Sequence, residues 1–333
     1  MSSIVVERVS KSYGTAQALR EVSFTVEKGS LLVLLGPSGC GKSTTLRLIA
    51  GLEEPTTGRI EIDGRDVTHL PPSDRRIAMV FQSYALFPHL SVAENIVFGL
   101  KVRKVARGER DARLKSVADL VNLTPYLERK PAQLSGGQRQ RVALARAIIA
   151  EQPVCLMDEP LSNLDAQLRH EMRVEIRSLQ QRLGMTMVYV THDQTEAMTM
   201  ADTVILMRDG AIEQAGAPDA LYNAPETTFV ARFIGAPPMN LIADRGRLIG
   251  IRPEMMRLGV PGAGEVGRQG RVAAVEYLGA DTIVTLAIED GERFAVRTPG
   301  VAGVRVGETA GAAWAESAQR LFDAQTGRVL APV

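Results

Sequence analysis

The sequence predicts an α/β fold organised around a mainly parallel sheet, followed by a smaller all-β domain, and three observations carry that reading. Leu31–Leu35 is a continuous apolar run that ends at a glycine-rich loop and passes directly into residues with helical spacing, so strand, loop and helix follow one another. Residues 154–157 and 185–190 are further apolar runs, each followed by polar residues and then a helical stretch. Beyond about Phe233 the helical periodicity stops and short alternating runs rich in Gly, Val and Arg replace it.

Taken in order, residues 4–9 and 22–26 alternate apolar and polar side chains, the pattern of half-buried antiparallel strands, and residues 31–35 suit a strand buried on both faces. From Lys42 the apolar positions Leu46, Ile49 and Ala50 suit a helix. Residues 91–100, 111–123 and 138–150 read as three more helices and make a helical subdomain over about 88–152. The Lys- and Arg-rich stretch 101–115 is interleaved with Glu109 and Asp111, as on a solvated helical face. Ile234-Gly-Ala-Pro-Pro-Met-Asn240 is a turn-rich linker, after which residues 271–277 and 282–286 alternate as strands. Two domains are therefore expected, 1–235 and 236–333.

Composition bounds the function classes. A chain of 333 residues with 45% hydrophobic residues can build two cores. With 39 basic against 38 acidic residues it has no global field to draw it onto nucleic acid or anionic lipid, which argues against nucleic acid as a partner. Cys40 and Cys155 both fall inside motifs, suiting a reducing compartment better than a disulfide framework. No apolar run approaches the roughly 20 residues that span a bilayer, and the charged N-terminus lacks a secretory core, so a membrane role has to come through a partner.

Gly36-Pro37-Ser38-Gly39-Cys40-Gly41-Lys42-Ser43-Thr44 fits the phosphate-binding pattern G-x-x-x-x-G-K-[ST] in the strand–loop–helix setting that pattern requires. Glycines let backbone N–H groups turn inward on phosphate oxygens, and the helix N-terminus adds partial positive charge. Lys42 is expected to bridge the β and γ phosphates, Ser43 to ligate Mg²⁺ and Thr44 to reach the α phosphate; Cys40 is simply small. The apolar run 154–157 ends in Asp158 and Glu159. Strand alternation sends those carboxylates to opposite faces, so Asp158 is expected to hold Mg²⁺ through water and Glu159 to polarise the attacking water as general base.

Leu134-Ser135-Gly136-Gly137-Gln138 lies between these two motifs and resembles the signature of ATP-binding-cassette (ABC) ATPases. The resemblance covers residues 1 to about 235. It implies a P-loop NTPase core of RecA-like type with antiparallel β and helical subdomains, and ATP and Mg²⁺ as the bound species. Residue by residue, Tyr13 resembles the aromatic that stacks on adenine. Gln82 resembles the glutamine that touches Mg²⁺ and water and links nucleotide state to a membrane subunit. Asp165 resembles the aspartate at a dimer seam, and His192 the switch histidine facing the γ phosphate. His69, His89 and His170 have no such placement. Because the loop wraps the α and β phosphates from one side, a second helix N-terminus can supply Ser135 and the amides of Gly136 and Gly137 from the other. In the family that helix belongs to a second cassette, so a homodimer or a pair with a close paralogue sandwiches two ATP molecules.

Ser83-Tyr84-Ala-Leu-Phe-Pro-His-Leu90, Thr191-His-Asp-Gln194, the linker at 234–240 and Gly250-Ile-Arg-Pro-Glu254 together resemble ATPases of bacterial carbohydrate importers of the maltose and sn-glycerol-3-phosphate type. That implies an OB-like β-barrel regulatory domain in residues 236–333 and a peripheral place on the cytoplasmic face of the inner membrane. It also implies two transmembrane permease subunits contacted through Tyr84 to Leu90, an extracytoplasmic solute-binding protein acting indirectly, and a regulator docking on the C-terminal domain. ATPases of oxyanion, metal or polyamine importers share these motifs and stay open as an alternative. A soluble cassette of DNA repair or translation would have two fused cassettes or a coiled-coil insert, and this chain has neither pattern.

Overall fold

The computed structural model describes residues 2–288 and 291–330. Contacts divide the chain into two compact units, residues 1–218 and 219–333.

The first unit opens with β1 (Ser2–Tyr13) and β2 (Ala16–Glu27) and continues through the buried β3 (Leu31–Leu35) into α1 (Lys42–Ala50). The alternation expected in β1 breaks phase: Ile4 and Val6 are buried, and so is Val9. Arg8 takes φ 44° and the register with β2 shifts between Val6 and Val9, so a bulge turns Val9 back toward the core. β4 (Thr57–Ile62) and β5 (Arg65–Asp66) complete an antiparallel sheet in the order β2-β1-β4-β5. Then come β6 (Ile77–Val80) and the helical part, α2 (Val92–Val102), α3 (Arg107–Leu120) and α4 (Gly136–Ile149). The helix expected at 111–123 starts earlier, at Arg107, and stops at Leu120, with Asn122 in a left-handed conformation.

β7 (Val154–Asp158), α5 (Ala166–Leu183), β8 (Thr186–Val190), α6 (Gln194–Met200), β9 (Thr203–Arg208) and β10 (Ala211–Gly216) finish the unit. The six-stranded sheet runs β10-β9-β3-β8-β7-β6, parallel throughout except at the β10 edge. β3, β7 and β8 are adjacent and parallel, so the residues following all three emerge at one sheet edge, where open α/β sheets bind ligands. One core joins this sheet to the antiparallel one and includes Leu32, Leu34, Leu46, Ile49, Leu156 and Val188.

The second unit begins with two short helices, α7 (Pro218–Asn223) and α8 (Thr228–Phe233), and is otherwise β. β11 (Asn240–Asp244), β12 (Arg247–Ile251), β13 (Arg257–Leu258), β14 (Glu265–Tyr277), β15 (Asp281–Ala287), β16 (Arg293–Pro299), β17 (Thr309–Ala315) and β18 (Arg320–Asp323) form two antiparallel sheets, β11-β12-β18 and β13-β17-β14-β15-β16. Val272, Val284, Leu286, Phe294, Val296 and Trp314 are among the residues of their core. Residues 219–233, read from sequence with the first domain, cluster by contact with the second. Arg252 explains it: only 5% exposed, it donates to the carbonyls of Tyr222, Ala231 and Ile234 and stacks 4.1 Å from the Tyr222 ring. Among the described residues no helix is long and apolar enough to cross a membrane.

Candidate active site

The glycine loop is shaped by close approaches that exclude side chains. A Cβ on Gly36 would stand 2.4 Å from the Met207 carbonyl oxygen, and one on Gly41 would stand 2.5 Å from Leu19 at φ 102°. Pro37, Ser38 and Gly39 face solvent while Cys40 is buried. Lys42 is 5% exposed and its ammonium donates to the carbonyls of Gly36 and Pro37, both at 2.8 Å, so the cation sits inside the loop's own curve. Burial is the main influence on the Cys40 thiol and pushes it up, with the nearby Lys42 pulling the other way. Cys155, wholly enclosed in β7, is pushed to about 12 by burial alone.

Ser43, in the first turn of α1, donates its hydroxyl to Asp158 Oδ1 at 3.0 Å; Thr44 beside it is half-buried. Burial raises the Asp158 carboxyl above the usual range, against the Ser43 hydrogen bond and the cations Arg47 and Lys42. Two hard oxygen donors thus meet where the strand end faces the loop, a fitting start for a Mg²⁺ site whose other ligands are water and phosphate. No cluster of three His, Cys, Asp or Glu side chains forms a metal cage among the described residues.

Glu159 lies one residue past β7, at φ 44°, with its N–H bonded to the Val190 carbonyl at 3.1 Å. The expectation that strand alternation alone would part the two carboxylates is corrected here: the turn, not the pleat, sets the direction of Glu159. That direction brings its Oε2 to 3.2 Å from His192 Nδ1, and His192 is 58% exposed on the segment after β8. Gln82 is linked to Glu159 through Ser162: Gln82 Nε2 donates to Ser162 Oγ at 3.3 Å, Ser162 Oγ donates to the Glu159 carbonyl at 3.0 Å, and the Gln82 carbonyl accepts from Asn163 Nδ2 at 3.0 Å.

Tyr13 ends β1 with 49% of its surface exposed; its hydroxyl donates to the Glu53 carboxylate and the Lys11 ammonium lies 5.0 Å from the ring centre. Asp165 caps α5, accepting from the Leu168 N–H at 2.9 Å. Ser135 and Gln138 form a reciprocal capping box on α4: Ser135 Oγ accepts from the Gln138 N–H at 3.3 Å, and Gln138 Oε1 accepts from the Ser135 N–H at 2.9 Å. Because Ser135 Oγ acts as acceptor, its own proton stays available for an outside anion. Gly136 and Gly137 follow it in the first turn, so the signature presents a hydroxyl and free amides.

Sequence reasoning missed the supports. Glu196 is 3% exposed and accepts from the hydroxyls of Tyr189 at 2.9 Å and Thr191 at 2.7 Å, fixing the turn that carries His192; burial raises its carboxyl. Asp193 caps α6 and pairs with Arg169 at 3.4 Å. Asp193 and Glu196 have capping-box spacing, which was the available signal, but Glu196 turns to the two hydroxyls instead.

Residues 19–162 match the ABC transporter family model, and residues 249–322 match the TOBE domain model. The sn-glycerol-3-phosphate import ATP-binding protein UgpC 1 of Rhizobium etli is 50% identical over 305 residues, 88% of this chain and 88% of its own length. The sn-glycerol-3-phosphate import ATP-binding protein UgpC of Cereibacter sphaeroides is 45% identical over 99% of this chain and 100% of its own length. The chain belongs to the ATP-binding subunits of ABC transporters. Among solved structures, the ABC cassette resembles MJ0796, a dimeric post-hydrolysis state bound to ADP and Pi, with TM-score 0.58 and 31% identity over 65% of this chain and 98% of that one. It also resembles cbiO1 from Clostridium perfringens, part of the ABC transporter complex cbiONQ, with TM-score 0.62 and 27% identity over 66% of this chain and 90% of that one. An ABC ATPase domain followed by an OB-like all-β TOBE domain is therefore the organisation of this chain, and its activity is ATP hydrolysis coupled to transport.

Proposed function

We propose that this ABC subunit powers import of sn-glycerol-3-phosphate or a closely related sugar or polyol phosphate. The observation that carries this reading is near-full-length identity of 45% to a relative bearing that solute in its name, in both cassette and TOBE regions. In the reading, the loop 36–44 holds ATP, and Mg²⁺ is held by Ser43 and Gln82, with Asp158 acting through water. Mg²⁺ bound there would supply Lewis-acid neutralisation of phosphate charge. Glu159 takes the proton of the attacking water as it adds to the γ phosphorus, the bond from that phosphorus to the β–γ bridging oxygen breaks so that ADP leaves, and His192, 3.2 Å away, orients the carboxylate and faces the phosphate formed. Tyr13 stacks on adenine. A second copy supplies Ser135, Gly136 and Gly137 to the exposed side of the γ phosphate while Asp165 lines the seam, so binding closes the dimer and hydrolysis opens it.

In this arrangement two permease subunits contact the segment Tyr84 to Leu90, an extracytoplasmic binding protein selects the solute, and the TOBE domain receives regulators. The cassette works at the cytoplasmic face of the inner membrane. The chain assembled with its membrane subunits and binding protein in sealed vesicles should accumulate radiolabelled sn-glycerol-3-phosphate in an ATP-dependent way, outcompeted by unlabelled solute and not by maltose, sulfate or a polyamine. Uptake of one of those instead would overturn the solute assignment and leave the ATPase role standing.

A further inference from the structure

The loop between β6 and α2 is anchored differently at its two ends. Upstream, Gln82 belongs to the catalytic side through Ser162 and Asn163. Downstream, the loop is fastened to the helical part. Asn95, wholly buried in the first turns of α2, accepts from the Phe87 N–H at 2.8 Å and donates to the carbonyls of Phe87, Leu90 and Ser91. From α4, Arg146 donates to the Ala85 carbonyl at 2.5 Å, and its guanidinium lies 5.5 Å from the centre of the Phe87 ring, which packs 4.3 Å from that of Phe98.

Arg146 is an expensive residue to place there. It is half-buried, burial holds its guanidinium below the usual arginine range, and among the described residues no carboxylate pairs with it. One carbonyl and one aromatic face are what compensate its desolvation. Those two groups belong to the loop, whereas Arg146 belongs to the helix that begins at the signature. α4 is a single 14-residue helix without a break, so Arg146 and Gly136 lie about 15 Å apart on one rod. Between the two anchorages, Tyr84 at φ 63° and Ala85 at φ 48° are consecutive left-handed residues without a glycine, a conformation L-residues adopt at a cost.

We propose that Arg146 is a positioning residue that ties residues 85–87 to the signature helix, so that displacement of the loop by a membrane subunit carries Ser135, Gly136 and Gly137 with it while the chain yields at Tyr84 and Ala85. The proposal rests on the docking of residues 84–90 against a permease subunit. Gln82 stays with the catalytic group during this motion, and the signature is the part that moves.

The test compares the native chain with Arg146→Gln, Arg146→Lys and Phe87→Asp, each measured alone and assembled with the membrane subunits in lipid vesicles. The readouts are melting temperature, KM for ATP, hydrolysis by the chain alone, and the factor by which assembly raises hydrolysis. Arg146→Gln should leave KM and unassembled hydrolysis within about twofold of native and lower the stimulation factor about tenfold, the scale of one lost charge-assisted hydrogen bond. Arg146→Lys, which keeps a donor but not the planar stacking group, should fall between. It also decides the matter if the Gln variant fails to fold. A merely structural role would lower melting temperature and both hydrolysis rates together, and that pattern would overturn the proposal. Native stimulation in Arg146→Lys and Arg146→Gln, beside a Phe87→Asp variant that is uncoupled, would also overturn it while leaving the docking reading intact. Native stimulation in all three variants would remove the docking reading and this proposal with it.

Discussion

Glu159 is fixed through its backbone by Val190 and through its carboxylate by His192, so a change in its chemistry need not disturb its place. Glu159→Gln should retain ATP affinity and slow hydrolysis by about 10²–10⁴, the contribution of a positioned base; phosphate release in single turnover measures it, and a native rate would exclude the role. A second expectation concerns pH. Asp66 accepts from the hydroxyl and N–H of Thr68, which hold its carboxyl at about 2, below the usual 3.8. The folded form therefore binds that proton less readily than the unfolded chain does. Its contribution to stability is complete above the unfolded value and disappears as pH falls from about 4 to about 2. Urea midpoints of native and Asp66→Asn chains should differ by a constant amount from pH 5 to 7 and converge toward pH 2. At this scale the motifs pointed to Lys42, Ser43 and Asp158, and the fold sets the Lys42 ammonium inside the glycine loop and joins Ser43 to Asp158 by a hydrogen bond. The sequence was silent on Glu196 and Asn95, because a buried polar side chain is recognised only by the partners that the fold brings to it.

α4 shows how one element carries two duties. Ser135-Gly-Gly-Gln138 forms a capping box and, in the function proposed above, also faces the γ phosphate, so stability and chemistry would draw on the same hydroxyl. Ser135→Ala should cost about 1 kcal/mol of stability, whereas Ser135→Asn, a good cap without the hydroxyl, should cost a few tenths. Both should depress hydrolysis in the assembled dimer. Thermal melts beside turnover separate the duties, and full activity in Ser135→Asn would argue against a hydroxyl contact to phosphate. Strong helices and buried strands of this sheet were readable because apolar period and caps agree. The phase break in β1 was not: Arg8 carries no turn residue's signature, and only the partner strand reveals the bulge.

For the whole molecule the informative segment is Gly250-Ile-Arg-Pro-Glu254. Sequence reading used it as a family mark; in the fold, Arg252 within it gathers three carbonyls from α7, α8 and the residue after α8. Composition placed the boundary at the Pro-rich linker because helices 218–233 look like any others, and no local pattern discloses which core they join. Arg252→Met should leave those carbonyls unpaired and cost the second unit about 3 kcal/mol or more, seen as an early calorimetric transition, with nucleotide affinity unchanged. An unaltered melting profile would show that the helices are held by other means.

The left-handed backbone at Glu159 has a further consequence, for directed evolution. Glutamate is poorly suited to that conformation and asparagine tolerates it, so Glu159→Asn should gain up to about 1 kcal/mol of stability while losing the carboxylate proposed as general base. A library of this protein screened for heat resistance alone would thus enrich chains that survive best and no longer turn over ATP.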